Sequence, residues 1–152
     1  MSVELFAPCP LERQNDCFRV RYQAFCIEQD WEPRNDTDME WEAKDGWSMF
    51  VLIDEGSKPV ATCRITPLRY APDVAEISRV AIVKACVDRR TVRRMLVEGI
   101  TRISRANKIK HWFSLMEPRF IQLNKMYGLS WETIGPPVEV HGKRSFCYMR
   151  AP

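Results

Sequence analysis

Between Met49 and Ile103 the sequence changes period once, and that change limits the folds open to it. Met49 to Ile53 and Val60 to Thr66 are β-rich runs joined by Asp54-Glu55-Gly56-Ser57-Lys58, the composition of a hairpin turn. Tyr70-Ala71-Pro72-Asp73 makes a second turn, and Ala75 to Val83 a third strand. The pattern then switches. Asp88 stands where an N-cap belongs, and Val92, Met95, Leu96, Ile100 and Ile103 follow at steps of three and four, the apolar stripe of a long helix. Consecutive antiparallel strands followed by an amphipathic helix call for a sheet with that helix laid on one face.

The flanking segments extend the plan. Val3 to Phe6 suits a short strand, and Pro10 can open a helix in which Phe18, Tyr22, Phe25 and Cys26 recur at helical spacing to about Glu28. Asp30 to Asp45 is polar, holds Pro33 and shows no period; it reads as a loop or a short second helix, with Trp31, Trp41 and Trp47 set among acids. His111 to Met116 reads as a strand, Pro118 to Gly128 as a helix, and Trp131–Ile134 and Ser145–Met149 as two short strands around Gly135-Pro136-Pro137 and the turn His141-Gly142-Lys143. With 152 residues, 45% of them hydrophobic, the chain has material for one core, so residues 1–152 are expected to form a single domain.

Composition excludes several classes. The apolar runs are too short to cross a bilayer, and Met1 to Pro10 carries Glu4 and no basic stretch, unlike a secretory signal, so a cytoplasmic location is the default. The six cysteines (Cys9, Cys17, Cys26, Cys63, Cys86 and Cys147) are scattered singly, and neither His111 nor His141 has a Cys at metal spacing. They are read as reduced apolar residues, and no metal site is expected.

The net charge of +3 hides an asymmetry: ten acids lie between Glu28 and Glu55 against Arg34 and Lys44, and nine basic residues between Lys84 and Lys110 against Asp88 and Glu98. An acidic side and a basic side follow. The basic helix is either a solvated face or a dock for a polyanion: nucleic acid, a phosphate-bearing cofactor, or an acidic carrier protein.

The order strand, helix, irregular segment, three antiparallel strands, basic helix, strand, helix, two strands resembles the GNAT acyltransferase layout. That layout is an α/β (α+β) three-layer domain with a mixed, mostly antiparallel sheet flanked by helices, splayed between its fourth and fifth strands. Particular residues sharpen the likeness. Arg21 with Phe25, Trp31, Glu42 with Asp45, Arg64, and Glu76-Ile77-Ser78-Arg79 are similar in order and largely in spacing to the signature of acyl-homoserine-lactone (autoinducer) synthases and related N-acyl amino acid synthases. All but one of the signature positions match; at Glu42 the autoinducer synthases carry Asp. Asp45-Gly46-Trp47-Ser48-Met49-Phe50 and Ile134-Gly135-Pro136-Pro137 with Gly142 resemble further segments of these enzymes. The connection from Arg64 to Glu76 is shorter than in typical autoinducer synthases, which leaves acyl length and acceptor open.

The resemblance implies transfer of a fatty acyl group from a thioester to an amine, either S-adenosylmethionine on the way to an acyl-homoserine lactone, a quorum-sensing signal, or an amino acid. Such chemistry needs a base, oxyanion donors and a slot for both reactants. Glu76 is the candidate base, unless it serves as one member of an ion network with Arg79, Arg64 or Arg21. Backbone N–H groups near Val80 to Ile82 would meet the oxyanion. Ser78 would donate to substrate or bond locally; Glu42 and Asp45 would bind the acceptor's cation or form a solvated acidic loop; Phe25 and Trp31 would line a pocket or belong to the core.

Acetyl-CoA enzymes of this fold open the helix after the fourth strand with a Gly-rich loop whose N–H groups hold the pyrophosphate. The stretch Lys84-Ala85-Cys86-Val87-Asp88-Arg89-Arg90 has no glycine, and Arg89, Arg90, Arg93, Arg94, Arg102 and Arg105 stand there or on the helix. The expected donor is therefore an acyl carrier protein bearing a phosphopantetheine thioester, docked on Arg89, Arg90, Arg93 and Arg94, with no permanently bound cofactor and a monomeric or weakly dimeric enzyme. The alternatives are an acetyl-CoA N-acetyltransferase with a degenerate loop and a non-enzymatic nucleic-acid-binding module.

Overall fold

Gly56 and Ser57 both adopt positive φ, +58° and +68°, the twist that a two-residue hairpin turn requires. They join β2 (Met49–Glu55) to β3 (Lys58–Leu68), which pairs in turn with β4 (Ala71–Ile82). The computed structural model describes residues 2–126 and 128–152. β1 (Val3–Phe6) adds to the free edge of β2, and β5 (His111–Met116) runs parallel to β4. β7 (Lys143–Arg150) pairs with β5 and with the edge strand β6 (Glu132–Val140), giving one sheet of order β1-β2-β3-β4-β5-β7-β6.

Most strands run a few residues beyond the expected bounds, β4 and β6 the furthest. β4 begins at Ala71, because Arg69 and Tyr70 turn the corner from β3. β6 runs through Gly135-Pro136-Pro137, where a register break between Ile134 and Val138 takes up the prolines on an edge that needs no further donors.

Alternation along β2 sorts the core. Phe50 and Leu52 face Cys17 and Phe18 of helix α1 (Gln14–Arg21), while Val51 and Ile53 face helix α2 (Arg89–Ala106). Three layers result, as anticipated. A turn of 3-10 helix over Leu11–Arg13 precedes α1, and a π turn over Tyr22–Glu28 widens its end, so the expected single helix is three conformations in series. The segment after Glu28 crosses the α1 face and closes in a short 3-10 turn, Ala43–Trp47.

Helix α2 sits close to the sheet through Gly99, where a Cβ would lie 2.8 Å from Val51 Cγ1 and 3.0 Å from Leu5 Cδ1. Asp88 caps it, accepting from Thr91 N at 3.1 Å. Helix α3 (Arg119–Lys125) ties to the following segment through Asn124 Oδ1, which accepts from Trp131 Nε1. All six cysteines are free, and no described helix is long and apolar enough to cross a membrane. The acids of the crossing segment and the arginines of α2 lie on opposite faces of the sheet.

Candidate functional site

Pairing between β4 and β5 stops early. Val74, Ala75 and Glu76 match His111, Trp112 and Phe113, and then the strands part, with Ser114 Oγ donating to Ile77 O at 2.7 Å at the fork. One strand further in, the β3–β4 ladder slips between Thr62 and Arg64, where Arg79 takes φ +51°. This is a β-bulge. It sends the consecutive side chains of Ser78 and Arg79 to the α1 face, where Ser78 Oγ accepts from Arg64 Nε at 3.1 Å and Arg79 meets three acids. In register, Thr66 opposes Glu76 and Arg64 opposes Ser78, so Glu76 lies on the same face as Arg64, one step along.

The crossing segment is fastened here by charge. Arg21 is fully buried and grips Asp45 with two parallel hydrogen bonds, Nη1 to Oδ1 at 2.7 Å and Nη2 to Oδ2 at 3.0 Å. Its Nε reaches Glu40. Asp45 also accepts from Arg64 Nη1 at 3.1 Å and from Glu42 N at 2.8 Å. Burial would lift the Asp45 carboxyl, but the Arg21 bonds, the Glu42 N–H and the adjacent guanidinium charges hold it below the ordinary carboxylate range. Glu42 behaves alike: burial raises it, and Arg64 and Arg79 pull it down further.

Arg79 Nη2 lies 3.4 Å from Glu42 and 3.8 Å from Glu32. Its Nε, 3.2 Å from Glu40, is buried without an aligned hydrogen bond. Its guanidinium also lies 5.8 Å over the Phe25 ring. Phe25 stacks on Trp31 at 5.7 Å, and Trp31 on His141 of the β6–β7 turn at 5.3 Å, with interplanar angles of 15° and 9°. Phe25 belongs to the core, whereas Trp31, stacked between Phe25 and His141, is 37% exposed.

Glu76 stands apart from this cluster. The expected network alternative paired it with Arg79, Arg64 or Arg21; its partner is instead Lys44, whose Nζ lies 3.0 Å from Oε1. The three arginines are matched to Glu40, Glu42 and Asp45. With Lys44, Trp47, Thr66, Arg69 and Phe113, Glu76 lines a cavity of about 190 Å³ beside the start of the fork. A larger cavity, about 350 Å³ and lined by Val20, Pro59 and Val83 among others, lies at the opposite end of β4 and touches none of the candidate residues.

The predicted residues thus divide. Arg21, Asp45 and Arg64 interlock with Ser78; both Asp45 oxygens are filled, so its role is to hold the guanidinium groups rather than to meet a cation directly. Ser78 bonds locally, as one of its two expected roles had it. Glu42, Arg79, Trp31 and Glu76 keep accessible surface. Glu40 and Lys44 were missed, because nothing distinguishes one buried acid or one paired lysine in an aperiodic charged segment. Of the four helix residues, Arg90 and Arg94 are exposed, Arg93 is half-buried, and Arg89 turns back to donate to Val83 O at 2.9 Å. Among the described residues no group of three or more His, Cys, Asp or Glu side chains is placed to hold a metal ion.

This fork, bulge and flanking helices make a GNAT-like acyltransferase fold. No protein-family model matches the sequence, and no curated protein matches it either. Solved structures do. The CoA-dependent acyl-homoserine lactone synthase BjaI, in a structure with S-adenosylmethionine and isopentyl-CoA, is 18% identical with a TM-score of 0.81, over 98% of this chain and 82% of that one. The acyl-homoserine lactone synthase LasI is 16% identical with a TM-score of 0.74, over 99% and 88%. An acyl-CoA N-acyltransferase from Pseudomonas aeruginosa is 12% identical with a TM-score of 0.73, over 99% and 100%. Identities this low establish a shared fold.

Proposed function

We propose that the chain is an N-acyltransferase that moves a fatty acyl group from a thioester to the amine of an amino acid derivative, with S-adenosylmethionine or a free amino acid as acceptor. The observation that carries this reading is the position of Glu76, the last β4 residue paired before the strands part, at the wall of a cavity. A thioester arm entering the fork would bring its carbonyl to the β4 edge, and an amine in the cavity would lie next to the Glu76 carboxylate. Glu76 takes the ammonium proton, directly or through one water, and frees the lone pair for attack. Backbone N–H groups of β4 between Val80 and Ile82, on the edge that β5 leaves, meet the oxyanion. Collapse of the tetrahedral intermediate expels the thiolate, which takes up a proton as the amide forms.

The acceptor side is the segment pinned by Arg21 and Arg64. Glu42, beside the partly exposed Trp31, offers a carboxylate with open surface, which suits a cationic or sulfonium-bearing acceptor. The structure of BjaI, which holds S-adenosylmethionine, adds weight to that acceptor. The donor we assign is an acyl carrier protein, whose acidic surface would meet Arg90, Arg93 and Arg94. BjaI is CoA-dependent, so acyl-CoA is the competing donor.

Incubating the purified protein with acyl-carrier thioesters or acyl-CoA and a panel of amines, followed by mass spectrometry, tests the proposal. An N-acyl product that disappears with Glu76→Gln is expected. Absence of any amide from every donor and amine would end the reading.

A further inference from the structure

The loop that leads into α2 is filled by carboxylates of the chain itself. Glu55, at the end of β2, accepts from Val87 N through Oε1 and from Asp88 N through Oε2, both at 2.8 Å. The Cys86 thiol points at the same carboxylate from 3.8 Å. Glu28 accepts from Lys84 N at 3.0 and 3.2 Å, and Asp88 takes Thr91 N. Four amides across the stretch from Lys84 to Thr91 are thereby committed to three acids from three places in the sequence. Glu55 is only 5% exposed, and its carboxyl is held below the ordinary range chiefly by the Asp88 and Val87 N–H groups.

A loop opening a helix after the fourth strand is where this fold presents N–H groups to a diphosphate. Here a diphosphate arriving at those amides would have to displace Glu55, and until it did so it would face a fixed negative charge at hydrogen-bond distance. Beyond Lys84 at the start of the loop, the exposed positive charge lies on the helix, on Arg90 and Arg94, where a single phosphate at the end of an arm can be met without entering the loop.

We infer that Glu55 is a specificity-determining residue, its carboxylate occupying the loop amides in place of a donor's diphosphate and so selecting thioesters on phosphopantetheine over thioesters on a nucleotide. The inference rests on the acyl-transfer reading for its biological sense, but its test does not depend on turnover.

Calorimetric titration of the intact chain with CoA and with 4′-phosphopantetheine reads the preference directly. The wild-type protein should bind CoA no more tightly than 4′-phosphopantetheine. Glu55→Gln keeps one acceptor oxygen but removes the charge and frees an amide; it should tighten CoA at least tenfold and leave 4′-phosphopantetheine unchanged. Glu55→Ala should do so more strongly, provided that its thermal midpoint shows it folded. Wild-type protein binding CoA tenfold or more tighter than 4′-phosphopantetheine overturns the inference without recourse to any variant. A folded Glu55→Gln protein with unchanged CoA affinity overturns it equally. A protein that makes no product but shows the gain at Glu55 would sink the acyl-transfer reading and leave this one standing; the reverse pattern would do the opposite.

Discussion

The Lys44 ammonium and the Glu76 carboxylate face each other at 3.0 Å across the mouth of the smaller cavity, one from the crossing segment and one from the sheet. Each is partly exposed, so an incoming amine can replace Lys44 at Glu76 without stranding a buried charge. Glu76→Gln keeps the shape and the hydrogen bond while losing the base. The expected outcome is a fall in kcat of about a hundredfold or more, the usual contribution of a positioned base, with an unchanged melting temperature. Single-turnover kinetics on the folded variant check it, and a normal rate would remove Glu76 from the chemistry.

Arg21 predicts stability rather than rate. It is the buried partner of both Asp45 and Glu40, and Arg21→Ala leaves Asp45 with Arg64 alone and Glu40 with Arg79 alone in the interior. A loss of about 3–5 kcal/mol is expected, in the range for one partner removed from a buried pair. Urea unfolding measures it. Arg21→Lys should recover only part, because an ammonium cannot repeat the two parallel bonds to Asp45.

Low pH should loosen both faces of the sheet. Asp45, Glu42 and Glu55 all have carboxyls held below their ordinary values of 3.8, 4.5 and 4.5, so the folded state binds protons less readily than the unfolded chain. Their stabilisation is complete above those ordinary values and drains away as pH falls below them. Thermal midpoints recorded from pH 7 to pH 3 should be flat at first and then drop, and Glu55→Gln should drop less steeply. A midpoint unchanged down to pH 3 would contradict the assignment.

Gly99 predicts a packing failure on the opposite face. An added Cβ would press on Val51, a β-branched side chain with little freedom to turn aside, and on Leu5. Gly99→Ala, although it favours helix, should cost about 1–3 kcal/mol as overpacking. An unchanged or raised denaturation midpoint would show that α2 can shift off the sheet.

Reversal of Arg93 and Arg94 to Glu tests the donor surface apart from the chemistry. The rate with a carrier-bound thioester should fall at least tenfold at low salt and converge with wild type as salt is added, while a pantetheine thioester, which carries no phosphate, is used equally by both. Equal loss with both donors would point to damage within the fold.

Much of this architecture was readable from period alone. The β2–β3 hairpin, the Asp88 cap and the stripe from Val92 to Ile103 are local patterns, and each formed as spaced. Glu76 and Arg64 were placed by resemblance, and the register put them on one face. Pairing within the crossing segment was not readable, because seven acids in a stretch without period give no sign of which will be buried. Glu55 looked like a hairpin-turn acid; its service to the loop at Val87 and Asp88 depends on a contact thirty-odd residues away. The β4 bulge was silent for a different reason, since Arg79 at φ +51° carries no glycine to mark it.

The crossing segment is moored by guanidinium groups from α1, β3 and β4, and by two apolar contacts, Trp31 on Phe25 and Met39 against the cluster of Phe18 and Phe50. Its moorings are few and discrete, so side chains between them, such as Asp36, Thr37 and Trp41, can be exchanged without disturbing the sheet beneath. A scaffold arranged in this way can be given a new substrate by editing a dozen residues of ribbon and leaving its anchors alone.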